Sequence, residues 1–350
     1  MIENARVPRG WRNEGLFLTG YVKGSGDWCL SSWIWTSSAI ARYYSTIGRT
    51  DEVIRIADKF LEEQLPCGGW MVRLDWIDGC AVPLVAPNDS AYIANNALLE
   101  AYKSVGDEKY LQAAERCAAW IIRTARSDGL VYFGQNGLTG KWIVRSNIVD
   151  IGFTAGLFCE LYKITNDDDY LSFAERFVSA YTRVFFDPDY RAFWTSVDMN
   201  GTPRGGHFAR GQAWALEGLI PYYQMTGDSV VEQLIVDVTS RLVERQNFSG
   251  GWPYNLSRAR MGEDGKGTPV LAKNLLDWYA LSGEEEFLDS ARRALIWCER
   301  HTMHEGGCPG GIFSYSVEGA VSHTLYSETA FTYSSAYALE TLDLLRRSPK

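Results

Sequence analysis

Two aspartates carry the first chemical signal. Asp89 stands in Ala86-Pro87-Asn88-Asp89-Ser90-Ala91-Tyr92, and Asp150 in Ser146-Asn147-Ile148-Val149-Asp150-Ile151-Gly152, 61 residues later. Either acid alone has a plain structural use, as a cap or as a complement to a helix dipole. Two acids at equivalent places around one confined pocket can do more. Burial and mutual repulsion raise one pKa, and the carboxyl that keeps its proton becomes a general acid. Chemistry at a glycosidic bond uses such pairs. A third cluster is His207-Phe208-Ala209-Arg210-Gly211-Gln212-Ala213-Trp214. At a helix N-terminus its cation, amide and indole suit a carboxylate or sugar hydroxyls. Arg210 has a structural alternative, a pairing with Asp150 or Glu217.

The elements that position these groups repeat. Gly48-Arg49-Thr50-Asp51, Gly106-Asp107-Glu108, Asn166-Asp167-Asp168, Gly227-Asp228-Ser229 and Gly283-Glu284-Glu285 follow one another at steps of 58, 60, 61 and 56 residues. Each supplies a residue suited to a left-handed helix end, then acidic or hydroxyl residues suited to a helix start. Apolar residues after each turn recur at i, i+3, i+4, which predicts an amphipathic outer helix. The stretch before each turn is apolar almost all round, which predicts a helix buried on both sides. The pattern predicts inner helices near 31–47, 88–105, 147–164, 209–226, 267–282 and 327–345. It predicts outer helices near 50–65, 107–126, 168–185, 228–247 and 284–303. Repeats near 60 residues with apolar inner helices favour ring closure over an open solenoid of shorter units. The expected fold is all-α, an (α/α)6 barrel in one domain over residues 1–350. Residues 1–30 form an N-terminal segment covering the barrel where a sixth outer helix is missing.

In that ring Asp89 and Asp150 are one repeat apart, so they occupy equivalent first turns. Loops rich in glycine and aromatics enter at the same face. Ten of the 13 tryptophans fall in this layer, among them Trp33, Trp35, Trp142 and Trp214. A tryptophan after a Gly-Gly turn has an ordinary use as a plug. Ten in one layer suit a ligand with flat apolar faces, such as a sugar.

Composition excludes other classes. The chain has 350 residues, 46% hydrophobic and 22% charged, as globular proteins do. A net charge of −9 leaves no electrostatic footprint for nucleic acid. No apolar run reaches the roughly 20 residues of a membrane span. The start Met1-Ile2-Glu3-Asn4-Ala5-Arg6 lacks the pattern of a signal peptide, and a cytoplasmic location is expected. Seven cysteines without C-x-x-C spacing announce neither a disulfide framework nor a zinc site.

Arg210-Gly211-Gln212-Ala213-Trp214 resembles the signature of the unsaturated glucuronyl hydrolases, glycoside hydrolase families 88 and 105. The Asn88-Asp89 and Asp150 contexts are similar to that family's two essential aspartates, and the six-hairpin plan matches over most of the chain. Phe208 stands where the family often has tryptophan. The resemblance implies removal of a 4,5-unsaturated uronic acid from the non-reducing end of lyase-generated oligosaccharides. Asp150 would protonate C4 and then activate water for attack at C5. Asp89 would orient the ring, with Asn88, His207, Arg210, Gln212, Trp214, Trp33, Trp35 and Trp142 around the substrate. Arg145, Arg204 and Arg210 are the candidates for the uronate carboxylate. No metal or organic cofactor is implied. The alternatives are an inverting glycosidase on saturated oligosaccharides and a non-catalytic sugar-binding protein on the same barrel.

Other motifs point less far. His301 and His304 suit a helix C-terminus better than a metal. Asp167-Asp168-Asp169 reads as helix-start charge. Gly262-Glu263-Asp264-Gly265-Lys266-Gly267 lacks the spacing of a phosphate loop. Gln64-x-x-x-Gly68-Gly69-Trp70 and Gln246-x-x-x-Gly250-Gly251-Trp252 resemble turns of terpene cyclases, but no Asp-rich motif is placed to face the cavity. A sugar epimerase would want pocket histidines, for which only His207 and His323 are available. Glu328 is a further candidate acid.

Overall fold

The computed structural model describes residues 1–11, 13–29, 31–75, 83–143, 147–258, 262–313 and 329–347. Trp76, Arg145, His323 and Glu328 lie outside the described residues.

The chain folds as successive helical hairpins. The inner helices begin with α1 (Ile34–Thr46). The second runs as α3 (Pro87–Ile93), a π-helical stretch (Ala94–Leu99) and α4 (Glu100–Val105). The third opens with a 3-10 turn (Val149–Phe153) and continues as α6 (Thr154–Thr165). The remaining three are α8 (Ala209–Thr226), α10 (Thr268–Ser282) and α12 (Thr332–Arg347). The outer helices are α2 (Thr50–Glu63), α5 (Glu108–Thr124), α7 (Asp168–Phe185), α9 (Ser229–Arg245) and α11 (Glu285–Arg300).

The repeated turn works through two local devices. Gly106, Asn166, Gly227 and Gly283 end their inner helices in the left-handed conformation, at φ 69°, 57°, 66° and 71°. Their N–H groups satisfy carbonyls of the last helical turn. The following Asp107, Asp167 and Asp228 then accept from backbone N–H groups at the start of the outer helix. Asn166 does what glycine does elsewhere, because a short amide side chain tolerates that conformation.

Each inner helix packs on the next, and α12 packs back on α1, so the ring is closed. Inner helices approach closely where glycines allow it. A methyl group at Gly218 on α8 would lie 2.1 Å from the carbonyl oxygen of Gly152 in the third inner helix. The core is continuous through the ring and the inward faces of the outer helices.

Strands are confined to short ladders in the loops. Gly20–Val22 pairs with Thr329–Phe331 and with Asp27–Trp28. Leu84–Val85 pairs with Gly134–Asn136, which pairs with Trp142–Ile143. The N-terminal segment lies against both ends of the chain's ring. Arg6 bonds Glu52 on α2 at 3.0 Å, and the amino group of Met1 bonds the Pro309 carbonyl. Among the described residues no helix is long and apolar enough to cross a membrane. The six described cysteines are free thiols.

Candidate active site

A cavity of about 540 Å³ opens where the inner helices begin, a size common for small-molecule sites. Every inner helix supplies a wall residue from its first turns or from the two residues before it. These are Trp35 for α1, Asp89 for α3, Asp150 for the 3-10 turn, Trp214 for α8, Lys266 before α10 and Tyr333 for α12. The opposite end holds a smaller cavity of about 320 Å³, lined from the C-terminal halves of the same helices by residues such as Glu100, Glu160, Gln224 and Asp277. The inner helices therefore run the same way.

Asp89 and Asp150 share this cavity with Trp33, Trp35, Trp214 and Asn88. Asp89 sits in the first turn of α3, after Pro87. Asp150 sits on a tight 3-10 turn rather than in an α-helix. That turn is pinned by the Tyr181 hydroxyl, which donates to the Val149 carbonyl at 2.8 Å. Both aspartates are partly open to the cavity. Burial first and the nearby Asp150 charge second push the Asp89 carboxyl up to about 8, against the opposing effect of Lys266. At neutral pH Asp89 is a neutral acid that can donate as well as accept a hydrogen bond.

The floor is a buried polar relay. The Tyr92 and Tyr337 hydroxyls meet at 2.6 Å, and Tyr337 donates to Glu217. Glu217 pairs with Arg42 at 3.3 Å, and Arg42 pairs with Glu340 at 3.0 Å. Glu217 thus pairs with Arg42, not Arg210.

Four residues expected around the ligand lie elsewhere. The Gln212 amide accepts from the Phe193 N–H at 2.7 Å and donates to the carbonyls of Phe193 and Phe208 at 2.9 and 3.0 Å. Both ends of this buried side chain are used in tying the loop before α8 to the helix, so it holds backbone rather than sugar. His207 is sandwiched between Tyr190 and Trp194, with ring centroids 4.1 and 4.3 Å away. Its Nε2 lies 2.9 Å from Asp187. Burial lowers its pKa, opposed by Asp187. Trp142 stacks on Tyr132 at 4.8 Å and on Trp120 at 6.2 Å. Arg210 is buried against Asp264 at 3.3 Å, with its guanidinium 4.2 Å from the Phe208 ring centroid and 5.1 Å from that of Tyr254. It is not among the described wall residues. Arg204 bonds Asp198 on an exposed hairpin at 3.2 Å.

The glycine-tryptophan turns are clamps. Gln64 donates to the carbonyls of Gly68 and Ala113, and Gln246 to those of Gly250 and Ser290. The indoles of the buried Trp70 and Trp252 donate to Phe60 and Leu242 carbonyls at 2.7 and 2.8 Å. His301 stacks on Trp297 and bonds its carbonyl at 2.8 Å. Among the described residues no group of acids, histidines and cysteines forms a metal cluster.

The residue that sequence reasoning missed is Lys266. Its ammonium lies 4.5 Å from the Trp35 ring centroid, 4.7 Å from that of Phe331 and 5.4 Å from that of Tyr333. Burial lowers its pKa well below the usual lysine range. Arg210 adds to that, while Asp264, Asp150 and Asp89 oppose it. Tyr333, Phe331 and Phe153 complete the wall with no motif to announce them.

Among the described residues, six inner and five outer helices in a closed ring, with two acids in an aromatic cavity at its mouth, have the architecture of the six-hairpin glycosidases. Residues 33–266, two thirds of the chain, match the model of Glycosyl Hydrolase Family 88. The chain belongs to that family. Comparison with curated proteins returns no match. Among solved structures, the unsaturated glucuronyl hydrolase of Bacillus sp. GL1 is similar at 17% identity and a TM-score of 0.74, over 95% of this chain and 92% of that one. A family 105 glycoside hydrolase of C. acetobutylicum is similar at 13% identity and a TM-score of 0.65, over 89% and 92%. Cellobiose 2-epimerase from Bacillus thermoamylovorans superposes with a TM-score of 0.78 at 10% identity, over 99% and 95%. At such identities the likeness speaks to fold alone, and one barrel carries several chemistries. Among the described wall residues there is no histidine for epimerase chemistry.

Proposed function

We propose that the chain removes a 4,5-unsaturated uronic acid from the non-reducing end of lyase-generated oligosaccharides. The observation that carries this reading is the pair Asp89 and Asp150 on one aromatic wall, in a chain of family 88. Asp150 reacts in its protonated form, which exchanges its proton with Asp89 in the same cavity, and gives that proton to C4 of the C4=C5 bond. Positive charge develops at C5 and is shared by the ring oxygen. The Asp150 carboxylate then takes a proton from water as the water oxygen bonds to C5. The hemiketal opens by breaking the bond between C5 and the ring oxygen. The hemiacetal left at C1 collapses and releases the linked sugar.

Asp89 keeps its proton at neutral pH and donates a hydrogen bond to a ring hydroxyl, which orients the sugar without adding charge beside Asp150. The indoles of Trp33, Trp35 and Trp214 cover the apolar faces of the ring. These roles need neither metal nor organic cofactor. The test is the ultraviolet absorbance of the C4=C5 bond. Unsaturated disaccharides of several linkages should lose that band on incubation with the protein. A flat trace over the whole set, with cleavage of saturated disaccharides instead, would replace this reading by ordinary glycoside hydrolysis.

A further inference from the structure

We propose that Lys266 is the residue that grips the negative charge of the substrate, the carboxylate carried on C5 of the unsaturated ring. The inference rests on the reading above and supplies its missing anion site. An anionic sugar meets two obstacles here. The chain's net charge of −9 repels it at long range. The cavity itself already holds two carboxyl groups. Only a local cation offsets both.

Among the described residues that line the cavity, Lys266 is the single cation. The arginines expected for this task are engaged away from it, Arg210 on Asp264 and Arg204 on Asp198. Trp35, Phe331 and Tyr333 surround the ammonium. Burial favours the neutral amine in the empty cavity, and an arriving carboxylate favours the charged form, so ammonium and anion are held together over the aromatic faces.

Its backbone is fixed before any ligand arrives. The Lys266 N–H donates to Asp264 Oδ1 at 3.0 Å, and the Tyr333 hydroxyl donates to the Lys266 carbonyl at 3.0 Å. Asp264 is also the partner of Arg210. The signature arginine thus helps to seat the loop that presents the lysine. Trp35 and Lys266 lie in one wall, so the ring that stacks on Trp35 brings its carboxylate to the ammonium.

The test compares an unsaturated uronide with its methyl ester, which differs only by the charge. For the wild type, KM should be lower for the acid than for the ester by about tenfold or more. Lys266→Met should raise KM for the acid by that factor and shift that for the ester by far less, and so erase the preference. Lys266→Arg should keep most of it, which separates lost charge from lost fold. An acid-to-ester ratio that survives Lys266→Met, or a preference that follows sulfation in place of the carboxylate, would overturn the proposal. A second measurement needs no turnover. Quenching of cavity tryptophan fluorescence by a saturated glucuronide and by the matching glucoside reads binding alone. A protein inactive on every unsaturated uronide would remove the reaction. The titration would still decide Lys266: a glucuronide preference lost in Lys266→Met supports it, and no preference in the wild type overturns it.

Discussion

Replacing Asp150 by Asn is expected to cut turnover of an unsaturated uronide by about a thousandfold, the scale of a positioned general acid. Affinity should change far less. The amide has the shape of the carboxyl but can neither deliver the proton to C4 nor take one from water. The 3-10 turn that carries it is held by the Tyr181 hydroxyl on the Val149 carbonyl, which the substitution does not touch. Initial rates and a fluorescence titration on the same samples separate the two effects. Turnover within a factor of a few of the wild type would remove Asp150 from the acid role. Equal loss of binding would make it a ligand contact or a structural acid.

Asp89→Asn should do the opposite to stability of what it does to activity. The Asp89 carboxyl is raised from 3.8 to about 8 by burial and by Asp150. Between those values the unfolded chain has lost this proton and the folded chain keeps it. Stability therefore falls as pH rises through the window from about 4 to about 8, and the loss is complete above it. Each pH unit corresponds to about 1.4 kcal/mol. The full window gives an upper bound of roughly 6 kcal/mol, of which a few should be measurable. Asparagine has no charge to bury. Melts from pH 4 to pH 9 should show the variant level with the wild type near pH 4 and clearly more stable at pH 8.5. Parallel curves would mean that Asp89 is not a proton-retaining acid. Wild-type turnover should decline as pH rises through about 8, because an ionised Asp89 can no longer donate its hydrogen bond and repels an anionic ligand. A site that costs stability in this way is common where groups are held for chemistry.

The barrel was legible because its information is periodic. The turns at Gly106, Asn166, Gly227 and Gly283 recur at one spacing and use one pair of devices, a left-handed helix end and an acidic start. The same period put Asp89 and Asp150 in one cavity. What period does not encode is the direction of a side chain within a loop or at a helix entry. Gln212 sits two residues from Arg210 and two from Trp214, yet its amide turns back to Phe193 while Trp214 reaches the cavity. Trp70 and Trp252 follow the same Gly-Gly turns that suggested a sugar face, and both are plugs. Trp33 and Trp35, in contrast, flank the start of α1 and line the wall. Lys266 is hidden in the sequence because it stands in a glycine-rich stretch, Gly262 to Gly267, with no period that marks which side chain faces the cavity. Its backbone is held by Tyr333, 67 residues further on. The π-helical stretch at Ala94–Leu99 and the 3-10 turn at Val149–Phe153 are also departures from ideal period that apolar spacing does not announce.

The central claim is that this site hydrates C4=C5 before any bond at C1 breaks. Turnover of an unsaturated disaccharide in D2O, followed by NMR, tests it most directly. The account predicts that the released uronate carries deuterium at C4 and has lost the C4=C5 bond. Release of a uronate that keeps its double bond and carries no deuterium at C4 would contradict it, and would assign the two aspartates to direct hydrolysis at C1.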